Sequence, residues 1–467
     1  MDTKSKISIS QNVKQGQGPV YFLGIGGIGM SALARYFISR HRKVSGYDRA
    51  ATPFSKKLED EGMYIHYHDD VNLLDPQAEL VVYTPAIPAD HKELNFYKNN
   101  DYLLLKRSDV LEAVTSGCYT IAVAGTHGKT TTSTLIAHIL RHSGYGCNAF
   151  LGGISANYDT NFWKSDNHTC VVEADEYDRS FLKLFPDVAI ITAMDADHLD
   201  IYGTEKNMQD AFISFTENIK DKGLLIYKNN LHRDTELLAS NKWSYAATDA
   251  QANCYARNIT VQNGAYLFDA VINDRTIQQL TLHMGGRHNV ENAVAAVAVA
   301  LHVGIHEEKI RAALSEFKGV KRRFEYIVKP SAGNTGIVMI DDYAHHPEEL
   351  RALIMGAKEL FPGKKCTLVF QPHLYSRTRD LAAGFAEVLS LADEVLLLPI
   401  YPARELPIPG VSSNSIVENM KHPHVSVIEK DALPGWVLKN DVQLLIMSGA
   451  GDIDSLVEPV KKIVEAR

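Results

Sequence analysis

Residues 119–135 read YTIAVAGTHGKTTTSTL. Thr120 to Ala124 form a buried strand, Gly125-Thr126-His127-Gly128 a tight turn, and Lys129-Thr130 open a helix carrying Leu135, Ile136, Ile139 and Leu140. Strand, glycine turn and helix in that order cradle a polyphosphate. The N–H groups at the helix start point at the anion, and the helix dipole adds partial positive charge there. Lys129 is expected at the β- and γ-phosphates and the Thr130 hydroxyl at Mg²⁺. Gly125, Thr126, His127, Gly128 and Thr131 complete the expected ATP-binding loop. The general pattern places a glycine five residues before Gly128, where Val123 stands, so the loop is a shortened variant.

Working outward, 467 residues suggest about three domains. A hydrophobic content of 45% with 22% charged residues is that of a globular protein with ample core. The net charge of −8, with no basic domain, argues against nucleic-acid binding. The five cysteines are odd in number and scattered without a CxxC pair, which fits a reducing compartment rather than a disulfide framework or zinc knuckle. The polar start, MDTKSKISISQNVKQGQG, lacks the apolar core of a signal peptide, and no apolar run approaches a membrane span. The expectation is a cytoplasmic protein with no membrane insertion.

In the first unit, residues 1–115, the strand Pro19–Leu23 runs into Gly24-Ile-Gly26-Gly27-Ile-Gly29 and a helix from Met30 to Ile38. A second strand, Lys43–Tyr47, ends at Asp48. This is a dinucleotide-fold fingerprint: the glycines admit a pyrophosphate and the acid can bond a ribose hydroxyl. A nicotinamide cofactor and a UDP-linked substrate both fit it. Thr84 follows the strand Leu80–Tyr83 at the edge where ligands lie in open α/β sheets. Arg107 begins a helix and suits either a phosphate or solvent.

In the central unit, residues 116–326, two further strands end in acids. Thr169–Val172 leads into Glu173-Ala-Asp175-Glu176, and Val188–Thr192 into Asp195-Ala-Asp197-His198. A carboxylate at a neighbouring strand end holds Mg²⁺ opposite the loop hydroxyl, a role that falls to Glu173. His198 is the candidate for a second divalent ion. His288, Asn289 and Asn292 precede an Ala/Val-rich helix, Ala293–Val303, and can face a purine edge. The Arg pair in Lys321-Arg322-Arg323-Phe324-Glu325 sits where this unit ends and suits a phosphate in a closed form.

The last unit, residues 327–467, restarts the strand–helix alternation. Its strands end in Asp341-Asp342-Tyr343-Ala344-His345-His346, in Gln371-Pro-His373-Leu-Tyr375-Ser376-Arg377-Thr378-Arg379, and in Ser448-Gly449-Ala450-Gly451. With Glu394–Leu398, which ends in Pro399-Ile-Tyr401-Pro-Ala-Arg404-Glu405, these loops give a third doubly wound sheet a single active edge. Arg377 and Arg379 suit bidentate clamping of a carboxylate or phosphate.

Together the motifs GIGGIGMSALA, AGTHGKTTT, EADEYDRSFL, DADHLDIYG, GRHNVENA, GVKRRFE, DDYAHHP, QPHLYSRTRDL and SGAGDI resemble the Mur ligases, the ATP-dependent amino-acid ligases of bacterial peptidoglycan precursor synthesis, over nearly the whole chain. The resemblance is nearest to the alanine-adding branch. It implies three α/β domains: a Rossmann-like N-terminal domain for the UDP-sugar, a P-loop central domain for ATP, and a doubly wound C-terminal domain for the amino acid. It implies UDP-N-acetylmuramate, L-alanine and ATP as substrates, two Mg²⁺ sites with Mn²⁺ left open, and a monomer or homodimer. Gly24, Gly26, Gly27, Gly29, Asp48, Thr84 and Arg107 then serve the UDP-sugar. Lys129, Thr130, His288, Asn289, Asn292 and Asp342 serve ATP, and Thr130, Glu173 and His198 the metal. Tyr343, His345, Arg377 and Arg379 receive alanine, with Lys129, Arg323, His345 and Arg377 as the catalytic set. Two departures stand out. Leu374 replaces an Arg common among alanine-adding relatives, and Tyr177 and Arg179 replace Ser and a small residue, Tyr177 being similar to the murein-tripeptide ligases. No Lys occurs from Asn207 to Ile219, where other branches use a carbamylated Lys.

Overall fold

The computed structural model describes residues 10–329, 336–403 and 405–467. Short apolar runs, rich in β-branched residues, make its strands, because helices cover the parallel sheets on both faces. The first sheet holds β1 (Val20–Leu23), β2 (Val44–Tyr47), β3 (Tyr64–His66), β4 (Leu80–Tyr83) and β5 (Leu104–Lys106), all parallel, in the order β3-β2-β1-β4-β5. The order reverses between β1 and β4, which opens a crevice at their carboxyl ends. Gly24 and Thr84 meet there: a Cβ on Gly24, whose φ is +88°, would lie 2.9 Å from Thr84 Cγ2. Helix α1 (Ile28–Ser39) leaves this crevice, and α2 (Arg107–Thr115) leads out of the sheet.

The second sheet has ten strands, ordered β15-β14-β13-β12-β11-β10-β6-β9-β7-β8. Its centre is β6 (Tyr119–Ala124), flanked by β9 (Thr169–Glu173) and β10 (Val188–Ile191). Beyond them lie β7 (Asn148–Ser155) and β8 (Thr160–Trp163) on one side, and β11 (Leu224–Lys228) and β12 (Asn241–Ala246) on the other. An antiparallel meander, β13 (Cys254–Gln262), β14 (Ala265–Ile272) and β15 (Arg275–Leu282), extends the far edge. Helix α3 (Lys129–His142) follows β6, and α4 (Arg287–His302) packs beside it. The last helix begins six residues before the expected Ala293, so His288, Asn289 and Asn292 lie within its first two turns rather than ahead of it. The reason is that Gly286, not an Asn, stands at its start, and the Asn289 amide instead donates to Gly285 O at 2.7 Å.

The third sheet runs β16-β17-β21-β18-β19-β20. It comprises β16 (Glu325–Val328), β17 (Val338–Asp342), β18 (Cys366–Phe370), β19 (Glu394–Leu397), β20 (Val425–Val427) and β21 (Leu444–Ser448), parallel except for the edge pair β16–β17. Glu325 and Tyr326 therefore already belong to this sheet, two residues ahead of the boundary expected from the sequence. Helices α5 (Pro347–Leu360) and α6 (Tyr375–Asp380) follow β17 and β18.

The first two sheets are locked together by α1. The Tyr36 ring lies 5.8 Å from Phe150 and 6.1 Å from Phe162. Arg35, 6% exposed, forks onto Glu61 at 2.7 and 2.8 Å and also donates to Asn161, whose amide reaches Ile28 O at 2.6 Å. Arg35→Ala strands the buried Asn161 oxygen and half-buried Glu61. It is expected to cost about 2 kcal/mol, measured as a fall of several degrees in Tm. An unchanged Tm would show that the aromatic contacts alone hold the interface.

Among the described residues, no helix is long and apolar enough to cross a membrane.

Candidate active site

The turn after β6 depends on two glycines. Gly125 has φ +133°, and a Cβ there would meet Thr192 Oγ1 at 2.2 Å and Ala193 N at 2.7 Å. Gly128 has φ +81°, and a Cβ there would meet Asn292 Oδ1 at 3.0 Å. Thr192, at the end of β10, therefore braces one side of the loop, and its hydroxyl bonds both Ala124 O at 3.1 Å and His127 O. Asn292 braces the other side and donates to Asn289 Oδ1 at 3.3 Å. The two amides expected at a purine edge thus have local partners, while His288 is exposed. Lys129, the first residue of α3, folds back to donate to Gly125 O at 2.7 Å and to Glu176 Oε1 at 2.8 Å.

Glu173 ends β9 beside this loop. Its Oε1 accepts from the Thr130 hydroxyl and its Oε2 from Gly152 N, both at 3.0 Å. Burial pushes its carboxyl up from the usual range, against the pull of Lys129 and Arg323. Glu176 has a fully buried side chain, and its Oε2 has no hydrogen-bond partner among the described residues. His198 Nε2 lies 3.8 Å from Glu176 Oε1 and 3.6 Å from Asp197 Oδ2. Glu176, Asp197 and His198 offer ligand atoms all within 4.8 Å of one another. A hydroxyl paired with a carboxylate, and a buried carboxylate with a spare oxygen beside an imidazole, are donor sets that fit a hard divalent cation.

On the first-sheet side, Asp48 uses both carboxylate oxygens locally: one accepts from Gly26 N and the other from Arg49 N, each at 2.7 Å. It buttresses the glycine loop. Arg107 lies over the start of α1, where a Cβ on Gly29 would be 2.6 Å from its Nη1, and its Nη2 is 3.0 Å from Asp175 Oδ2. A cavity of about 260 Å³ joins the two loops, lined by Gly29 and Arg107 from the first sheet and by Lys129, Gly152, Glu173 and Asp175 from the second. Gly29 and Arg107, expected for the UDP-sugar, Lys129, expected for the nucleotide, and Glu173, expected for the metal, are thereby brought to one place.

The junction into the third sheet begins at this floor. Lys321 N bonds Ile154 O at 2.8 Å on β7, and Phe324 N bonds Asp342 Oδ2 at 2.6 Å on β17. Arg323, between them, is felt electrostatically by both Glu173 and Asp342. Arg322 and Phe324 hold φ of +58° and +47°, values that bulky residues adopt only when their surroundings impose them. Asp342 also accepts from Ala344 N at 2.7 Å, so both its oxygens serve the backbone.

At the third edge, the His345 ring lies 5.2 Å from Tyr343 and 6.0 Å from His373, which stacks on Tyr401 at 5.8 Å. Arg377 Nη1 is 3.5 Å from His373 Nδ1. Burial lowers the His345 pKa below that of free imidazole, with Glu349 and the Tyr343 carbonyl opposing, so its ring is neutral at pH 7. Arg379 is not part of this group. It is exposed and pairs with Asp380 at 2.7 Å, because residues two apart on a helix face different ways. Leu374 holds φ +70° at the start of α6. Tyr177 is exposed, its ring 5.2 Å from His198.

Asp341, beside Asp342, is buried 3.4 Å from the Arg322 guanidinium. Burial pushes its carboxyl up to about 7, with Arg322 opposing and Glu325 and Asp342 adding to the rise. An acid whose pKa is raised on folding contributes stability that is complete below its unfolded pKa, near 4, and is lost as pH rises through the folded value. Asp341→Asn, neutral throughout, is expected to gain stability relative to the unsubstituted protein between pH 4 and 8, by on the order of a few kcal/mol. Paired thermal melts at the two pH values test this, and no relative gain would refute it.

Sequence reasoning gives no individual role to Arg35, Asn161, Asp175, Glu176, Thr192, His373 or Tyr401. For Asp175 and Glu176 the signal was present, as acids beside Glu173 at a strand end. For Thr192 and Asn161 only the tertiary contact reveals the role.

Known proteins resemble this chain along nearly its whole length. Residues 19–119, 123–300 and 322–446 match models described as Mur ligase family, catalytic domain, as Mur ligase middle domain, and as Mur ligase, glutamate ligase domain. The chain is similar to the UDP-N-acetylmuramate--L-alanine ligase of Porphyromonas gingivalis, 45% identical over 454 residues that cover 96% of this chain and 99% of that protein. It is also similar to the ligase of that name from Cytophaga hutchinsonii, 45% identical over 458 residues, 96% and 97% of the two chains. The solved UDP-N-acetylmuramate-alanine ligase of Thermotoga maritima aligns with a TM-score of 0.80 at 28% identity, over 96% of this chain and 99% of that one. The murein peptide ligase of Psychrobacter arcticus shares the fold, with a TM-score of 0.65 at 23% identity over 97% and 99% of the chains.

Proposed function

As the chain belongs to the Mur ligase family, we infer that it joins L-alanine to the lactyl carboxylate of UDP-N-acetylmuramate at the expense of ATP, in cytoplasmic peptidoglycan precursor synthesis. The observation that carries this reading is the cavity lined by Gly29, Arg107, Lys129 and Glu173, which sets a diphosphate-binding loop against a triphosphate-binding loop. A nicotinamide enzyme would have no use for the second loop, and a non-catalytic nucleotide sensor none for Lys129, Glu173 and His198 together.

A carboxylate is a poor electrophile, because its charge repels an incoming nucleophile. Transfer of the γ-phosphoryl group onto it makes an acyl phosphate, and the amine of L-alanine then attacks the carbonyl carbon and expels phosphate. The first step brings two anions together, so charge neutralisation and in-line positioning dominate catalysis. Lys129 supplies charge at the β/γ-phosphates, and Arg323, poised between Glu173 and Asp342, supplies it where the junction meets the third sheet. Mg²⁺, which this family uses with ATP, would be held by Thr130 and Glu173, with His198 and Glu176 suited to a second ion; bound there, it screens phosphate charge. Arg377 is assigned to the alanine carboxylate, and the neutral His345 ring to the proton that the ammonium group must lose. Asp342 buttresses the junction through Phe324 N and Ala344 N, and Arg379, exposed and paired with Asp380, is given no role in this reading.

The test is ADP release by the full chain with UDP-N-acetylmuramate and Mg²⁺, repeated with L-alanine, glycine, L-serine and an L-Ala-γ-D-Glu peptide. Turnover with L-alanine is expected to exceed the others. Preference for the peptide would move the enzyme to the tripeptide branch, and no release dependent on the sugar nucleotide would reject the reading.

A further inference from the structure

The loop 173–176 after β9 carries three carboxylates, each bonded to a different part of the site. Glu173 holds the Thr130 hydroxyl at 3.0 Å, Glu176 holds Lys129 at 2.8 Å, and Asp175 holds Arg107 at 3.0 Å. The first two partners belong to the nucleotide loop, whereas Arg107 belongs to the first domain. The loop is stiff. Ala174 N bonds Val123 O at 2.8 Å, Tyr177 N bonds Asp175 Oδ1 at 3.1 Å, and the Tyr202 hydroxyl bonds Glu176 O at 2.6 Å. Glu173, Asp175 and Glu176 are therefore held in one braced segment.

We propose that Asp175 is a positioning residue that aims the Arg107 guanidinium at the sugar-nucleotide site and couples nucleotide binding at Gly125–Thr130 to sugar-nucleotide binding at Gly24–Gly29. The proposal rests on the function inferred above. Arg107 presents Nη1 toward Gly29, at the start of α1, while Nη2 is fixed by Asp175. A diphosphate at that helix start meets a guanidinium already turned toward it, with donors to spare. When nucleotide phosphates draw Lys129 away from Glu176 and the Thr130 hydroxyl away from Glu173, the bonding and charge around the segment that carries Asp175 change, and with them its hold on Arg107. Neither bound molecule needs to touch Asp175.

The experiment is calorimetric titration of the full chain with UDP-N-acetylmuramate, alone and with saturating Mg²⁺ and a non-hydrolysable ATP analogue. In the unsubstituted protein the analogue is expected to lower Kd about fivefold or more. In Asp175→Asn that factor should fall to near one. Its Kd without analogue should rise about three- to tenfold, since the guanidinium must then be ordered on binding. In turnover, KM for the sugar nucleotide should rise by a similar factor, with kcat and KM for ATP within about threefold. Asp175→Glu, which keeps the charge, should restore part of the coupling. Arg107→Gln should abolish it, and the double variant should couple no worse than either single one. If Asp175→Asn fails to fold, Asp175→Glu and Arg107→Gln carry the test. Coupling absent from the unsubstituted protein, or undiminished in Asp175→Asn or Arg107→Gln, overturns the role of Asp175 and leaves the inferred function standing. Failure of the unsubstituted protein to bind UDP-N-acetylmuramate at all would overturn both.

Discussion

Lys129→Ala is expected to lower kcat by roughly 10³-fold or more, because on the proposed reading it removes the positive charge that neutralises the transferring phosphoryl group. The lysine is held firmly at the start of its helix. Its side chain is 14% exposed and tethered at 2.7 Å to Gly125 O and 2.8 Å to Glu176. The substitution also has a structural cost, which must be separated from the catalytic one. Without Lys129, the fully buried Glu176 carboxylate loses its cation, a loss on the order of 3 kcal/mol for a broken buried pair. Burial already pushes the Glu176 carboxyl up, with Lys129 pulling it back, so the stranded acid binds a proton more readily in the variant. The loss of Tm should accordingly be larger at pH 8 than at pH 5. Combining Lys129→Ala with Glu176→Gln should recover much of the stability and none of the rate. Single-variant activity within tenfold of the unsubstituted protein would reject the role of Lys129.

The parts of this site that could be read from sequence are those in which chemistry and backbone geometry share one short segment. GTHGKT states its own turn, helix start and charge, and GIGGIG with the following Asp48 does the same for the first sheet. Strand-end acids such as Glu173 are legible because a buried apolar run that stops at a carboxylate leaves that group at the sheet edge. Spacing failed where it had to be converted into direction. Arg377 and Arg379 look like a pair in the string, but a helix turns them apart, and Arg379 pairs with Asp380 at 2.7 Å. The meander from Cys254 to Leu282 was missed because its polar outer face dilutes the apolar alternation. Its usable signals were the turns: Asn263-Gly264 and Asn273, with φ of +51°, +70° and +50°, are hairpin residues. Asp48, Asn289, Asn292 and Asp342, expected as ligand groups, also bond the protein itself. Groups that shape a binding loop and groups that touch its ligand are the same residue types in the same loops and helix starts, and one residue can do both, so residue type alone does not separate them.

That distinction also sets the second large effect, at Glu173. Glu173→Gln is expected to lower kcat about 10²-fold or more and to raise the Mg²⁺ concentration needed for half-maximal nucleotide binding, while leaving Tm unchanged or slightly higher. The two oxygens face different donors: Oε1 the Thr130 hydroxyl and Oε2 the Gly152 N–H, each at 3.0 Å. A glutamine can turn its single oxygen to Gly152 N, which has to donate, and give its NH₂ to the Thr130 hydroxyl, which can rotate to accept. The local bonds therefore survive the substitution. What disappears is a negative charge that burial disfavours, so folding loses nothing and regains part of the desolvation cost. A structural acid would show the opposite pattern, with stability and rate falling together. Mg²⁺-dependent nucleotide binding by calorimetry, with thermal melts on the same preparation, separates the two. Undiminished Mg²⁺ affinity in Glu173→Gln would remove the carboxylate from the metal site and leave Glu176, with its unbonded Oε2, as the buried acid to test next.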